Sequence, residues 1–351
     1  MALKGSQELS TKDIISMDDL SVDDIKLIFR ITYPFKEEFI KRPNKKIPLL
    51  KGKFQMDFFF EESTRTRTSF ELAGKHLSAD VINASGSSTS MAKKGETLMD
   101  TVRTYNSMAM DIITMRHGCS GAAQMIANEI RCPIVNAGDG CHEHPTQGLL
   151  DMYTIYEAKG KIEGLDIVIV GDILHSRVAG SLIRGLRKMG ARVRLAGPPT
   201  FIPYGIDKVF GVKVYDNLDE AIKDVDVVYA LRVQLERAAS GFIPSVREYS
   251  KNFCITPSRL KMAKPDAIVM HPGPINREVD LRTEVMECAQ SKVEEQVTNG
   301  FCVRLALLYL LVRGDPGKVH RKDASLMEII RCGNLKDKRK VSEAKTRGGR
   351  R

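Results

Sequence analysis

The segment FQMDFFFEESTRTRTSF, residues 54–70, decides the fold of this chain. Its first part, Phe54–Phe60, is an apolar run with almost no polar alternation, which is typical of a parallel strand buried on both faces. Its second part brings hydroxyls and two arginines to the start of a helix predicted over Thr66–His76. Helix N-termini and arginine side chains both favour anions. The segment predicts a strand–helix unit with an anion site; on local chemistry alone, plain helix capping by Ser63 is an equal alternative.

The same alternation of apolar runs and helical patterns extends through the chain. Two successive sets of this kind predict an α/β protein with two doubly wound parallel-sheet domains joined by interdomain helices. A helix over Pro145–Lys159 is predicted to bridge the two domains, and a final apolar helix covers Val293–Val312. The other predicted strands are Val81–Ala84, Met110–Met115, Cys132–Asn136, Ile167–Val170, Val193–Ala196, Val225–Leu231 and Ala267–His271, and the other predicted helices are Met17–Phe29, Gly95–Met108 and Gly121–Ile130.

The positive charge of the chain is concentrated at its end. The 351 residues carry a formal net charge of +10, and residues 314–351 alone hold 12 Lys+Arg against 5 Asp+Glu. The other residues therefore carry only +3, so an interaction with nucleic acid is not expected from the main body. We expect residues 314–351 to be a disordered basic tail; docking to an anionic surface or another enzyme is the sharper alternative.

Several classes of protein are excluded by composition. At 42% hydrophobic and 28% charged residues, the chain has the composition of a soluble globular protein. The longest apolar run, Leu305–Val312, is too short to span a bilayer. Met1–Ser10 lacks the apolar core of a signal peptide, and the seven scattered cysteines fit a reducing compartment, so we expect a cytoplasmic protein with no membrane association.

The motifs resemble those of a known family. Ser63-Thr64-Arg65-Thr66-Arg67 is similar to the carbamoyl phosphate motif of the aspartate and ornithine carbamoyltransferases. His144-Pro145-Thr146-Gln147 matches the second family motif, and Arg116-His117 ends a predicted strand as the family's third phosphate-site element does. The resemblance runs from about Asp18 to Val312. It implies a carbamoyl phosphate-binding domain at residues 1–146, completed by the helix at residues 293–313. It also implies a domain at residues 147–292 that binds the amino-acid acceptor.

The acceptor half resembles the aspartate branch of this family. An aspartate site must bind two carboxylates and needs cations, whereas an ornithine site needs an acidic partner for an ammonium group. Arg177 and Arg232 each follow an apolar strand, where a parallel sheet places its ligands. The segment His271–Arg277 also resembles the aspartate branch, and the Cys-Leu-Pro element of the ornithine branch is absent. The resemblance implies transfer of a carbamoyl group to L-aspartate, in de novo pyrimidine biosynthesis and without a cofactor.

The resemblance also implies a role for each site residue. The phosphate group would be bound by Ser63, Arg65, Thr66 and Arg116. The carbonyl oxygen would face Thr66, Arg116 and His144, and the carbamoyl amide would be held by Gln147 and the backbone of Gly273 and Pro274. L-Aspartate would be bound by Lys94, Arg177, Arg232 and Gln234. Catalytic roles fall to Arg65, Thr66, Arg116, His144 and Lys94.

One part of the site is expected to come from another chain. In the family, the residues that correspond to Ser90 and Lys94 reach the active site of a neighbouring subunit, which implies a homotrimer with shared sites. Without that resemblance, Ser90–Thr97 would be a surface loop. A regulatory chain or a dihydroorotase is a further possible partner, and no motif in the sequence indicates either one.

Other interpretations stay open at this point. A related carbamoyltransferase with a different amine acceptor, or a catalytically silent paralogue, would share these motifs. Cys141-His142-Glu143-His144 suggests a metal cluster, but no second Cys/His pair accompanies it, so no metal is expected. Gly171-Asp172 after a strand suggests a dinucleotide site, but no G-x-G-x-x-G follows. Cys141 and Glu143 depart from the familiar pattern, and we expect them to alter packing more than chemistry.

Overall fold

The computed structural model describes residues 8–86, 94–234 and 244–312. It contains nine strands, β1–β9, and twelve helices, α1–α12, in these ranges. The strands are β1 Phe54–Phe59, β2 Asp80–Ser85, β3 Ile112–His117, β4 Ile134–Asp139, β5 Asp166–Val170, β6 Arg192–Ala196, β7 Lys213–Tyr215, β8 Val227–Ala230 and β9 Ile268–Met270. The helices are α1 Val22–Lys41, α2 Thr64–His76, α3 Leu98–Ser107, α4 Ala122–Ala127, α5 Pro145–Lys159, α6 Arg177–Lys188, α7 Ile206–Phe210, α8 Leu218–Ala221, α9 Val246–Phe253, α10 Pro257–Leu260, α11 Thr283–Met286 and α12 Val293–Val312.

The strands form two all-parallel sheets. The first has the order β2-β1-β3-β4, and the second has the order β7-β6-β5-β8-β9. The predicted fold class is thereby confirmed. The short strand β7 was not predicted, since a three-residue edge strand with two exposed positions gives no continuous apolar run.

The helix boundaries follow local chemistry. Ser21 caps α1 as predicted: its hydroxyl accepts a hydrogen bond from Asp24 N, and the Asp24 carboxylate accepts one from Ser21 N. The predicted Met17–Phe29 segment is in fact a 3₁₀ turn, Met17–Asp19, followed by α1, which continues to Lys41. The helix continues through Pro34, although a proline usually marks the point where a helix ends.

Two helices connect the sheets. Helix α5 packs against α6 and against α12, and α12 also packs against α1 and α2. Leu149 and Ile155 on α5 and Leu305 and Leu308 on α12 are completely buried in one apolar cluster. Burying each such side chain contributes roughly 2 kcal/mol, so this interface fixes the arrangement around α5. None of the helices in the described ranges has both the length and the apolar character needed to cross a bilayer.

The strand order places two crevices at the carboxyl edges of the sheets. In the first sheet the order reverses between β1 and β3, and in the second between β5 and β8. Open parallel sheets bind ligands outside the carboxyl ends of their strands at such switch points. The register pairs Phe59 with Arg116, so the segment after β1 begins beside Arg116.

Candidate active site

The first element of the site is the N-terminus of α2. Ser63 precedes the helix with extended backbone dihedrals (φ −156°, ψ 96°), and its side chain makes no capping hydrogen bond. Plain capping by Ser63 is therefore not what the structure shows. Thr66 is buried on the inner side of the first turn, while the Arg65 side chain is exposed. Backbone N–H groups, hydroxyls and a guanidinium are thus available to one anion.

Arg65 extends from this helix to the other sheet. A Cβ at Gly273 would lie 3.3 Å from Arg65 Cζ, so the guanidinium packs against the backbone of that glycine, which has a left-handed φ of 63°. Partial desolvation in the crevice lowers the pKa of Arg65, although the residue is exposed as a whole, and the nearby Arg232 lowers it further. Three predicted residues from distant parts of the chain are therefore brought together, and the positive charges of Arg65 and Arg232 lie in one crevice.

A carboxylate holds two of the predicted arginines. Glu61 Oε2 accepts hydrogen bonds from Arg116 Nε at 3.2 Å and from Arg177 Nη2 at 2.6 Å. Arg116 ends β3 and Arg177 begins α6, so Glu61 connects the edges of the two sheets. In the described part of the chain, Arg177 Nη1 is buried and has no hydrogen-bond partner. A guanidinium nitrogen in this position is a ready donor for a ligand anion.

His144 lies between the arginines and Thr66. Its Nε2 is 3.5 Å from Thr66 Oγ1, its Nδ1 is 3.5 Å from Thr146 Oγ1, and its backbone N–H donates to Ser181 Oγ at 2.9 Å. Burial, followed by the charges of Arg116 and of two further arginines, holds the pKa of His144 well below its usual value. The imidazole is therefore neutral and can donate one N–H to an oxygen in the crevice.

Two predicted amide-binding elements lie near His144. Gln147 is half-buried on the first turn of α5, and its Nε2 donates to Asp151 Oδ1 at 3.0 Å. The Gly273–Pro274 peptide bond is cis, and Gly273 N–H donates to His271 Nδ1 at 2.8 Å. Backbone carbonyls of this loop and the free end of Gln147 can therefore accept hydrogen bonds from an amide.

The second sheet contributes the predicted acceptor residues. Gln234 Nε2 donates to the His175 carbonyl at 2.9 Å, and His175 Nδ1 is 2.9 Å from Oδ1 of the fully buried Asp172. These contacts fix the chain after β8 to the chain after β5. Arg232, half-buried, precedes Gln234 on this segment. The cations of this region can bind the carboxylates of an amino acid.

One predicted residue of the described ranges, Lys94, does not contact the other site residues. Lys94 is exposed. Ser90 and the basic tail, residues 314–351, lie outside the described residues. The position of Lys94 therefore leaves its role as a prediction.

The apparent metal cluster has a different function. Glu143 is fully buried, and its carboxylate accepts hydrogen bonds from Ser16 Oγ, from Met17 N at 3.0 Å and from Ser181 Oγ at 2.8 Å. Glu143 therefore joins the N-terminal segment to α6. This is a packing role, as expected for a residue that departs from the family pattern. Cys141 is exposed. In residues 8–86, 94–234 and 244–312, no group of three His, Cys, Asp or Glu is placed to hold a metal ion.

The sequence analysis missed two carboxylates of the site. Glu61 lies two residues after β1, at the sheet edge where Arg116 lies near the end of β3, and this shared edge was a usable signal. Asp151 lies one helical turn after Gln147, and that i, i+4 spacing predicts contact between the two side chains. Neither residue belongs to a recognisable motif, which is why both were overlooked.

Comparison with known families identifies the class of this protein. Residues 12–157 match the aspartate/ornithine carbamoyltransferase carbamoyl-P binding domain, and residues 163–311 match the Asp/Orn binding domain of the same family. The chain belongs to the aspartate/ornithine carbamoyltransferase family. It is 51% identical over 307 residues to the aspartate carbamoyltransferase catalytic subunit of Syntrophomonas wolfei, covering 88% of this chain and 97% of that one. It is 52% identical over 305 residues to the catalytic subunit from Ruminiclostridium cellulolyticum, covering 87% and 96%.

Solved structures give the same class. The fold is similar to that of aspartate transcarbamoylase from Trypanosoma cruzi in complex with carbamoyl aspartate and phosphate, with a TM-score of 0.78 and 31% identity over 88% of this chain and 97% of that chain. It is also similar to ornithine carbamoyltransferase from Pyrococcus furiosus, with a TM-score of 0.76 and 28% identity over 91% and 100%. The shared fold therefore does not by itself separate the two acceptors, and the site residues must do so.

Proposed function

We propose that this chain transfers the carbamoyl group of carbamoyl phosphate to the α-amine of L-aspartate, giving N-carbamoyl-L-aspartate and phosphate. The observation that carries the proposal is the single crevice into which Arg65, Arg116 and His144 of the first sheet and Arg177 and Arg232 of the second converge. The catalytic subunits at about 50% identity bear the name of this activity.

The phosphate end of the substrate binds at the N-terminus of α2. Ser63, Thr66 and the first N–H groups of the helix donate to phosphate oxygens, and Arg65 and Arg116 neutralise their charge. The residues proposed to bind this group lie within the proposed carbamoyl phosphate domain, residues 1–146 completed by 293–313, and α12 packs against α1 and α2 of this domain. Residues 147–292 form the proposed aspartate domain.

The chemical step requires no covalent intermediate with the enzyme. The neutral amine of aspartate forms a bond to the carbonyl carbon, and negative charge develops on the carbonyl oxygen. The bond from carbon to the phosphate oxygen then breaks, and the departing phosphate takes up the proton that the amine nitrogen loses. Thr66, Arg116 and the neutral His144 face that carbonyl oxygen and stabilise the charge as it grows. Because His144 is neutral before reaction, it acts as a hydrogen-bond donor and not as an acid.

The carboxylates of aspartate bind to the second-sheet side of the crevice. The unpartnered Nη1 of Arg177 and the guanidinium of Arg232 supply charge, and Gln234 borders the same space. An ornithine side chain would bring an ammonium group toward these arginines and would be repelled. Gln147 and the Gly273–Pro274 loop hold the carbamoyl NH₂.

We further propose that the site is completed by Ser90 and Lys94 of a neighbouring chain in a homotrimer. The exposure of Lys94 supports this, because a lysine that binds a substrate of its own chain would lie in the crevice. Lys94→Ala and Arg65→Ala chains, each inactive alone, should recover partial activity when they are mixed and reassembled. Verified mixed trimers without recovered activity would contradict the shared site.

A cytoplasmic location remains a prediction.

The deciding experiment is an acceptor assay. The purified chain is incubated with carbamoyl phosphate and either L-aspartate or L-ornithine, and the carbamoylated product is quantified, while native mass measurement gives the oligomer. We expect product with aspartate only. Product with ornithine but not aspartate would favour the alternative, a carbamoyltransferase for another amine, and no product with either would favour a silent paralogue.

A further inference from the structure

A buried carboxylate lies directly behind Gln147. Asp151, on the same face of α5, is completely buried and receives three hydrogen bonds. Its Oδ1 accepts from Gln147 Nε2 at 3.0 Å and from Gln296 Nε2 at 2.7 Å, and its Oδ2 accepts from Tyr229 OH at 2.6 Å. These donors come from α5, α12 and β8, so one side chain joins two helices to the second sheet behind the crevice.

The donors and acceptors fix which way the Gln147 amide points. Gln147 presents its NH₂ group to Asp151 Oδ1, the same oxygen that accepts from Gln296, while Tyr229 OH donates to Oδ2, so both carboxyl oxygens are used as acceptors. The amide oxygen, Oε1, is then directed away from Asp151. A carbamoyl NH₂ group is a donor and needs an acceptor, and the orientation imposed by Asp151 is the one that supplies it.

The same carboxylate reaches the second amide-binding element. Gln296 Oε1 accepts from His271 N–H at 2.9 Å, which leaves its NH₂ group to donate to Asp151. His271 Nδ1 in turn accepts from Gly273 N–H at 2.8 Å. A continuous chain of hydrogen bonds therefore runs from Gln147 through Asp151 and Gln296 to the loop that contains the Gly273–Pro274 peptide.

The charge of Asp151 is balanced by its surroundings. Burial raises the pKa of Asp151 to about 7, even though the hydrogen bonds from Tyr229, Gln296 and Gln147 and the charge of the buried Arg304 act in the opposite direction. Three donors directed at one carboxyl group favour its ionised form, because the O–H of a protonated acid would point toward one of these donors.

We propose that Asp151 is a positioning residue for the carbamoyl group: it holds the Gln147 amide with its oxygen toward the carbamoyl NH₂, and so makes the site prefer carbamoyl phosphate over an acyl phosphate with a methyl group in place of NH₂. This inference rests on the proposed function, in which Gln147 contacts the carbamoyl amide. Asp151 itself touches no substrate. Its effect is expected in discrimination between these two ligands and not in phosphate binding.

The test compares two ligands of nearly equal shape, carbamoyl phosphate and acetyl phosphate. Their dissociation constants are measured by calorimetry without aspartate, and the ratio of acetyl to carbamoyl phosphate is the readout. In Asp151→Ala, Gln147 can turn its NH₂ group toward the ligand. The carbamoyl NH₂ group then faces another donor and loses one hydrogen bond, so the ratio should fall about tenfold. The dissociation constant of inorganic phosphate should change less than about twofold.

Two further variants separate positioning from general damage to the core. Thr154→Val removes the neighbouring buried hydrogen bond between the same two helices, from Asn299 Nδ2 to Thr154 Oγ1, without touching Gln147, and should leave the ratio unchanged. Asp151→Asn retains one acceptor oxygen for the two glutamines, and its NH₂ group can donate to Tyr229 OH. This variant should keep most of the preference for carbamoyl phosphate over acetyl phosphate. If Asp151→Ala does not fold, Asp151→Leu fills the same space without an acceptor.

The outcomes distinguish this proposal from the site assignment. If Gln147→Ala leaves the ratio at the native value, Gln147 does not contact the carbamoyl amide, and the proposed function of that residue fails. If Gln147→Ala lowers the ratio but a folded Asp151→Ala or Asp151→Leu does not, the positioning role is overturned. In the double variant Gln147→Ala/Asp151→Ala, we expect no further fall beyond Gln147→Ala alone, since Asp151 acts through Gln147; an additive fall would contradict the proposal.

Discussion

The carboxyl edges of the two sheets differ in how their proposed anion-binding residues are brought together. At the first edge, a single contiguous segment turns from β1 into α2, and backbone N–H groups form much of the site. At the second edge, Arg177 and Arg232 come from separate segments after β5 and β8. Their arrangement depends on carboxylates such as Glu61 and on contacts such as that of Gln234 with the His175 carbonyl. The first edge is therefore defined by local structure and the second by tertiary contacts.

The largest effect is expected from Arg65→Ala at the first edge. In the proposed function the guanidinium contacts the phosphate as its charge rises in the transition state, so turnover should fall by about 10³-fold or more. Arg116→Ala should behave similarly. Steady-state kinetics with both substrates gives the measurement. Arg103→Ala, an exposed arginine paired with Glu129, is the control, and turnover of Arg65→Ala within tenfold of the native enzyme would contradict its assignment.

At the second edge, Arg232→Ala should weaken aspartate binding and leave carbamoyl phosphate binding intact. Loss of one charge-assisted contact to a carboxylate should lower kcat/KM for aspartate by about 100-fold. The dissociation constant of carbamoyl phosphate should change less than about threefold, because phosphate is bound at the other edge. Equal losses for both substrates would show that the two edges are not separate binding regions.

Glu61→Gln tests the connection between the edges. The substitution keeps the side-chain shape but removes the charge that attracts Arg116 and Arg177, so both arginines should be less well oriented. We expect about a tenfold fall in turnover, with both substrates affected. The exposed neighbour Glu62 provides the matched control, Glu62→Gln, which should be near native. An effect confined to one substrate would argue that Glu61 serves one edge alone.

The smallest effect concerns stability and pH. Because the pKa of His144 is depressed in the folded chain, the unfolded chain binds a proton below about pH 6.5 that the folded chain does not. The native protein should therefore lose stability as pH falls, by at most about 1.4 kcal/mol for each pH unit below 6.5 from this residue. Urea titrations of native and His144→Asn protein at pH 7, 6 and 5 measure the difference, which should shrink in acid; a constant difference would contradict a neutral His144.

Much of the first edge could be predicted from the sequence, because its chemistry is contiguous. The strand over Phe54–Phe59, the helix that follows it, and the motif residues Ser63, Arg65 and Thr66 lie within one segment. The residues of the second edge were predicted one by one from a resemblance. The contacts between them could not be predicted from the sequence. Glu61 was overlooked because its two partners lie 55 and 116 residues away.

The sequence by itself determined the two parallel sheets, the family and the identities of the charged residues, since buried apolar runs and local motifs need only nearby residues to be recognised. Tertiary structure alone decided which charges meet. Asp151, Gln296 and His271 form one hydrogen-bonded chain although up to 145 residues separate two bonded members. Burial is what gives these contacts their strength and orientation, and the extent of burial depends on the packing of the whole fold.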